Sequence, residues 1–126
     1  GRYREAADAF QSAVTLQPDS VPDIAWLAWL RATAPDESVR DGAAAVQLAR
    51  QAVQATGYKD MAALNILAAA YAESGQFGEA IATGRRALGQ ARALRDEHLI
   101  AKTEEQLNEF LEHRTLRQGQ FDFIEP

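Results

Sequence analysis

The residues best able to do chemistry in this chain are His98 and His113, the carboxylates Glu104, Glu105, Glu109 and Glu112, and the arginines Arg85 and Arg92. Two histidines can share a metal ion or pass a proton only when their rings meet. Here they stand 15 residues apart on one expected helix, roughly 22 Å at the standard rise. Solvated surface positions are the simpler account. The four glutamates crowd one helical face, and acid–base work would need burial to raise one of their pKa values. Nothing around them supplies that burial, so a solvated acidic face is expected. Arg85 and Arg92 are seven residues apart and share a face that could hold an acidic partner, although an exposed basic stripe explains them as well. The eight glycines are scattered, with no phosphate-cradling run. No cysteine is present. The chain is therefore expected to be no enzyme, with no catalytic, metal or cofactor site.

The elements that carry these residues follow from composition and period. The chain has 126 residues, 47% hydrophobic and 25% charged, with four prolines and many alanines, which enter helices without losing side-chain freedom. An all-α chain is expected. The net charge of −5 and a pI near 5.0 set it against a phosphate backbone, so no nucleic acid is expected as partner. No apolar run reaches the roughly 18 to 20 residues that cross a bilayer, so no membrane insertion is expected either. The compartment stays open, compatible with the cytoplasm. The opening Gly1-Arg2-Tyr3 reads as the middle of a repeat, as though the chain were a piece of something longer.

The repeat shows when the sequence is compared with itself. Gly1-Arg2-Tyr3-Arg4-Glu5-Ala6-Ala7 and Gly75-Gln76-Phe77-Gly78-Glu79-Ala80-Ile81 share glycine, aromatic, glutamate, alanine and an apolar residue in register. Phe10, Ala13 and Pro18 follow Ala6 at the offsets where Gly84, Ala87 and Arg92 follow Ala80. A third copy runs Ala45, Ala49, Ala52, Gly57. The three leading alanines lie 39 and 35 residues apart. Before the later copies, Ile24, Leu27, Ala28 and Arg31 match Leu64, Leu67, Ala68 and Tyr71, each a helical stripe.

This pattern is similar to the tetratricopeptide repeat (bulky-x2-Leu-small-x2-Tyr, Gly-x-aromatic, Ala-x3-aromatic-x2-Ala, then Pro) over roughly residues 1 to 92. Leu27-Ala28-Trp29-Leu30 with Arg40-Asp41-Gly42, and Leu67-Ala68-Ala69-Ala70-Tyr71-Ala72-Glu73, look like the repeats appended to many large bacterial proteins. Departures exist: Arg31 stands for the tyrosine, Gly84 for the bulky residue, and Gly57 and Arg92 for the closing proline. The resemblance implies a right-handed superhelical array of antiparallel helix pairs, about two and a half repeats plus a C-terminal capping helix. It also implies a protein–protein interaction module or scaffold with a concave face.

Residues 1–116 are expected to form that domain: 1–20 a half repeat, 21–59 a repeat with an enlarged turn, 60–95 a repeat, and 96–116 a capping helix. Residues 117–126 are expected as an extended tail. Helices are expected over about 3–16, 21–33, 41–56, 60–73, 77–94 and 96–116. Ser20, Asp41 and Asp60 are in place as N-caps and Gly57 as a stop.

At 100° per residue, Trp26, Trp29 and Thr33 project from the second helix on the side opposite its stripe. Ala62, Ile66, Ala69 and Glu73 do so from the fourth, with Asn65 at the margin. The expected partner-binding set is Trp26, Trp29, Ala62, Asn65, Ala69 and Glu73: tryptophan anchors for a peptide or helical segment, and an amide for its backbone. Packing of Trp29 between repeats, and of Trp26 against an N-terminal neighbour, is the competing account. Self-association through the open first half-repeat, or through the tail, is the alternative function. In the tail, Phe121-Asp122-Phe123-Ile124 could lie in a groove of this chain or of a second copy, or dock on the sixth helix.

Overall fold

Three of the helix starts are fixed by an aspartate placed where four backbone N–H groups have no intrahelical acceptor. In the computed structural model, which describes residues 2–57 and 60–117, six helices follow in order among those residues: α1 Arg2–Leu16, α2 Val21–Thr33, α3 Gly42–Ala55, α4 Met61–Glu73, α5 Phe77–Leu94 and α6 Glu97–Leu111. The fold is all-α, with no strand among the described residues. The Asp41 side chain accepts from Ala44 N–H at 3.1 Å, Asp60 from Ala62 N–H at 2.9 Å, and Asp96 from Leu99 N–H at 3.2 Å. Ser20 occupies the cap position of α2, but its hydroxyl donates instead to Asp23 at 2.8 Å. Gly57 and Gly75 take the left-handed conformation just beyond α3 and α4, where a Cβ would be strained.

Each helix packs on the next, and α2 packs broadly on α4 as well. Alanine makes this possible. Ala28, Ala45, Ala49, Ala52, Ala68, Ala80 and Ala87 are all fully buried in one core that spans α2 to α6, where small side chains let backbones approach. A second cluster joins Ala7 of α1 to Leu27, Leu30, Ala34 and Val39. Two departures from the repeat pattern acquire a structural reason here. Arg31 donates to the Val39 carbonyl at 3.1 Å and so closes the enlarged turn 34–40. Gly84 lies under α6, where a Cβ would stand 3.1 Å from Leu107 Cδ1.

The sixth helix is shorter than its periodicity predicts, ending at Leu111 rather than near 116. His113 enters the left-handed region, its N–H bonds to the Phe110 carbonyl at 2.9 Å, and Arg114 N–H bonds to the Glu109 carbonyl at 2.8 Å. These two bonds cap the helix and turn the chain. The His113 ring stacks on Phe77 at 4.9 Å, which offsets the cost of a left-handed residue that is not glycine. The chain then returns toward α4. Leu116 is fully buried in the same cluster as Phe110 of α6 and Ile66 and Ala69 of α4. The last residues of the expected tail, 118–126, lie outside the described residues.

Gly42 is the tightest glycine: a Cβ there would stand 2.9 Å from Ser74 N and 3.0 Å from the Glu73 carbonyl carbon. Backbone cannot swing aside as the tip of Leu107 can. Gly42→Ala is expected to destabilise by about 1–3 kcal/mol. Gly84→Ala is expected near neutral, its helix-propensity gain of about 1 kcal/mol offset by crowding. Thermal unfolding followed by circular dichroism checks both; equal midpoints for the two variants would contradict the contact.

Candidate functional site

Helix α4 shows how the candidate face is built. Residues Ala63 to Ala70 are buried without interruption, so every side of this helix is covered. The stripe Leu67 and Tyr71 faces α3 and α5. On the other side Ala62, Asn65, Ala69 and Glu73 fall within one sector, four residues apart or close to it. Ala62 is half-buried, Ala69 fully buried, and Asn65 only 1% exposed. These four expected site residues therefore share one sector.

The two tryptophans do not stand open as the spacing suggested. Trp26 is half-buried and turned to α1, where its ring stacks on Phe10 at 6.0 Å. Trp29 is 1% exposed, and Thr33 beside it is buried with its hydroxyl donating to the Trp29 carbonyl at 2.7 Å. The reason is crowding: α2 has α1, α3 and α4 against it, which leaves no free side for an indole. Packing against neighbouring helices thus accounts for both rings, and neither is presented to solvent as a wall.

Glu73 is not a free carboxylate either. Its side chain is 17% exposed and lies 3.6 Å from Arg40 Nε and 2.8 Å from Arg117 Nη1. Arg40 comes from the enlarged turn, where it also donates to the Ala34 carbonyl at 2.8 Å. The pair Glu73–Arg117 joins residues 44 apart in sequence and holds the returning segment at the C-terminal end of α4.

Five buried side-chain atoms have no hydrogen-bond partner among the described residues: Trp29 Nε1, Asn65 Nδ2, Thr103 Oγ1, and both Nε2 and Oε1 of Gln106. All lie on α2, α4 and α6, and none on α1, α3 or α5, among the described residues. An unmet buried donor or acceptor costs about 1–3 kcal/mol, so these atoms mark where close packing leaves polar groups unanswered. Sequence reasoning found Asn65 and missed Thr103 and Gln106. Their signal was present as polar residues three apart inside the apolar stripe Leu99, Leu107, Phe110.

Charge is disposed elsewhere. The Arg114 guanidinium bonds to Glu109 at 2.7 Å and to Glu112, and the first of these bonds holds the Glu109 carboxyl below its ordinary range. The same bonds raise Arg114 further above its already high value. Two bonds from Ser38, from its hydroxyl at 2.7 Å and its N–H at 2.9 Å, hold Asp36 low in the enlarged turn. No group of three or more potential metal ligands occurs among the described residues, and no helix among them is long and apolar enough to cross a membrane. A separate hollow of about 260 Å³, lined by Arg50, Val53, Tyr71, Glu79 and Arg86 among others, opens on the opposite side of α4. None of the unpartnered buried atoms lines it. Compared with known proteins, the chain matches no family model, no curated protein and no solved structure.

Two outcomes follow. Asn65→Leu removes an unmet donor while keeping the volume, so it is expected to raise stability by about 1 kcal/mol; a lowered unfolding midpoint would mean that the amide is satisfied. Glu109 titrates below its ordinary value, so its bond to Arg114 is fully present above that value and is lost as pH falls through the lowered one. Amide exchange at Arg114 and Leu116, taken relative to its intrinsic rate at each pH, is therefore expected to quicken as pH falls below the ordinary glutamate range. In Glu109→Gln that acid step should vanish.

Proposed function

We propose that this chain is a non-catalytic interaction module, built of tetratricopeptide-like helix pairs in a right-handed array, that takes up a segment of another protein against the face of α2, α4 and α6. The single observation that carries the reading is the confinement of unpartnered buried polar atoms to those three helices. Asn65 and Gln106 are amides, and a side-chain amide matches the donor and acceptor of a peptide group. An extended segment leaves its backbone N–H and C=O groups free for such amides, whereas a helical segment has already used them. An extended ligand is therefore favoured over a helical one. Ala62, half-buried at the start of α4, is small enough to let such a segment approach. The resemblance of the sequence motifs, and the packing of α2 on both α3 and α4, support the array.

The alternative, self-association through an open first half-repeat, finds less support. The exposed side of α1 carries Arg2, Arg4, Glu5, Asp8, Gln11 and Ser12, and only Leu16, at 83% exposure, is a large apolar residue there. That is a soluble helical face rather than an uncovered apolar edge.

The test presents a library of short random peptides to the intact chain and to Leu116→Asp/Arg117→Glu, which removes both anchors of the returning segment. Peptides selected on either form are expected to bind about tenfold more weakly, or 1.4 kcal/mol, when Asn65→Leu is introduced. Arg50→Ala, on the opposite side of α4, should leave binding unchanged. Absence of any selected peptide, or affinity indifferent to Asn65, would sink the proposal.

A further inference from the structure

We propose that the hollow between α3 and α5 is a binding site for a small zwitterion with an apolar side chain, the chemistry of a free aliphatic α-amino acid. It lies on the opposite side of α4 from the peptide-accepting face and stands independently of that reading. Three observations carry it.

First, the hollow is built into the packing. Helices α3 and α5 both pack broadly on α4 but not on each other among the described residues. The gap between them, about 260 Å³, is lined by Val53 of α3 and by Leu67 and Tyr71 of α4. Val53 is 1% and Leu67 6% exposed, so the hollow has an apolar floor. Second, its walls carry opposite charges that do not neutralise each other. Arg50 of α3 and Glu79 of α5 both line it and both are exposed, yet neither forms an ion pair among the described residues. Third, Tyr71 and Thr83 line the same space, and neither hydroxyl makes a hydrogen bond among the described residues. Thr83 stands one turn beyond Glu79 on the same side of α5.

These groups select a ligand by its charges. A simple carboxylate is drawn to Arg50 and repelled by Glu79; a simple amine meets the reverse. A molecule that carries both charges satisfies both walls. The Arg50 guanidinium can take a carboxylate through two parallel bonds, while the Glu79 carboxylate and the Thr83 hydroxyl accept from an ammonium group. Arg86 also lines the hollow, and its charge tips the balance toward the carboxylate end. The ligand's apolar side chain then rests on Val53 and Leu67. Size sets the remaining limit, since pockets for drug-sized molecules span about 300–1,000 Å³. A hollow of about 260 Å³ suits a body no larger than a single amino acid with its side chain.

The experiment titrates the full, isotope-labelled chain with L-leucine into the millimolar range and follows backbone amide resonances. L-Leucinamide lacks the carboxylate and N-acetyl-L-leucine the ammonium, so they also stand in for the two ends of a peptide. Shifts are expected at Val53, Leu67 and Thr83, with leucine binding about tenfold more tightly than either analogue. Arg50→Gln should weaken leucine about tenfold and erase its advantage over leucinamide. Glu79→Gln should do the same with respect to N-acetyl-leucine. Arg92→Gln, on α5 but outside the hollow, should leave binding unchanged. All three substitutions replace exposed side chains, so circular dichroism should not move. Absence of shifts at the hollow, shifts confined to other residues, or either analogue binding as tightly as leucine overturns the site. Library peptides that depend on Asn65 and ignore Arg50 would stand whatever leucine does, so the two readings fail separately.

Discussion

Two helices come together only as closely as the side chains at their crossing allow, and here alanine sets that distance almost everywhere. Ala28 and Ala68 are buried in α2 and α4, Ala45, Ala49 and Ala52 in α3, and Ala80 and Ala87 in α5. Each small residue contributes little hydrophobic area of its own. What it contributes is access for larger neighbours such as Leu64, Ile66 and Phe110, whose burial stabilises by about 1.5–3 kcal/mol apiece. The same closeness makes the structure intolerant at Gly42, where α3 begins against the last turn of α4. A chain built in this manner has little slack in its crossings.

Close packing also explains why polar residues become conspicuous. Once α4 is covered on all sides, Asn65 has no water to fall back on, and the amide must find a protein partner or cost free energy. A helix packed only for stability would carry alanine or leucine there. Proteins are only marginally stable, so an unmet donor in the core is a sizeable fraction of the net stability. Among the described residues the unpartnered buried atoms fall on α2, α4 and α6 and none falls on α1, α3 or α5.

Much of this was legible in the residues. The caps Asp41 and Asp60, the stop Gly57, and the stripes at three- and four-residue spacing placed the first five helices to within a residue or two, because each signal acts locally. Asn65, Ala62, Ala69 and Glu73 were legible as one sector for the same reason. Burial was not. Helical spacing gives the direction of Trp29 relative to Leu27, but whether that direction meets solvent depends on α1 and α4, which are far away in sequence. Glu73 likewise looks like an open acid until Arg40 and Arg117 are brought to it, 33 and 44 residues distant. Thr103 and Gln106 were hidden by composition, since α6 is rich in polar residues and two more draw no notice.

The end of α6 shows how one local choice can decide a distant outcome. Its periodic pattern would continue to Leu116, but on a continued helix Leu116 would lie six residues, or about 240°, around from Phe110 and so face outward. Stopping at Leu111 reverses this. His113 adopts the left-handed turn that glycine usually supplies, and its stacking on Phe77 and the pull of Glu109 and Glu112 on Arg114 hold the reversal in place. Only then does Leu116 reach the core and Arg117 reach Glu73. A residue that periodicity assigns to the surface becomes buried because the helix stops at Leu111, and the Arg117–Glu73 pair forms only because of that stop.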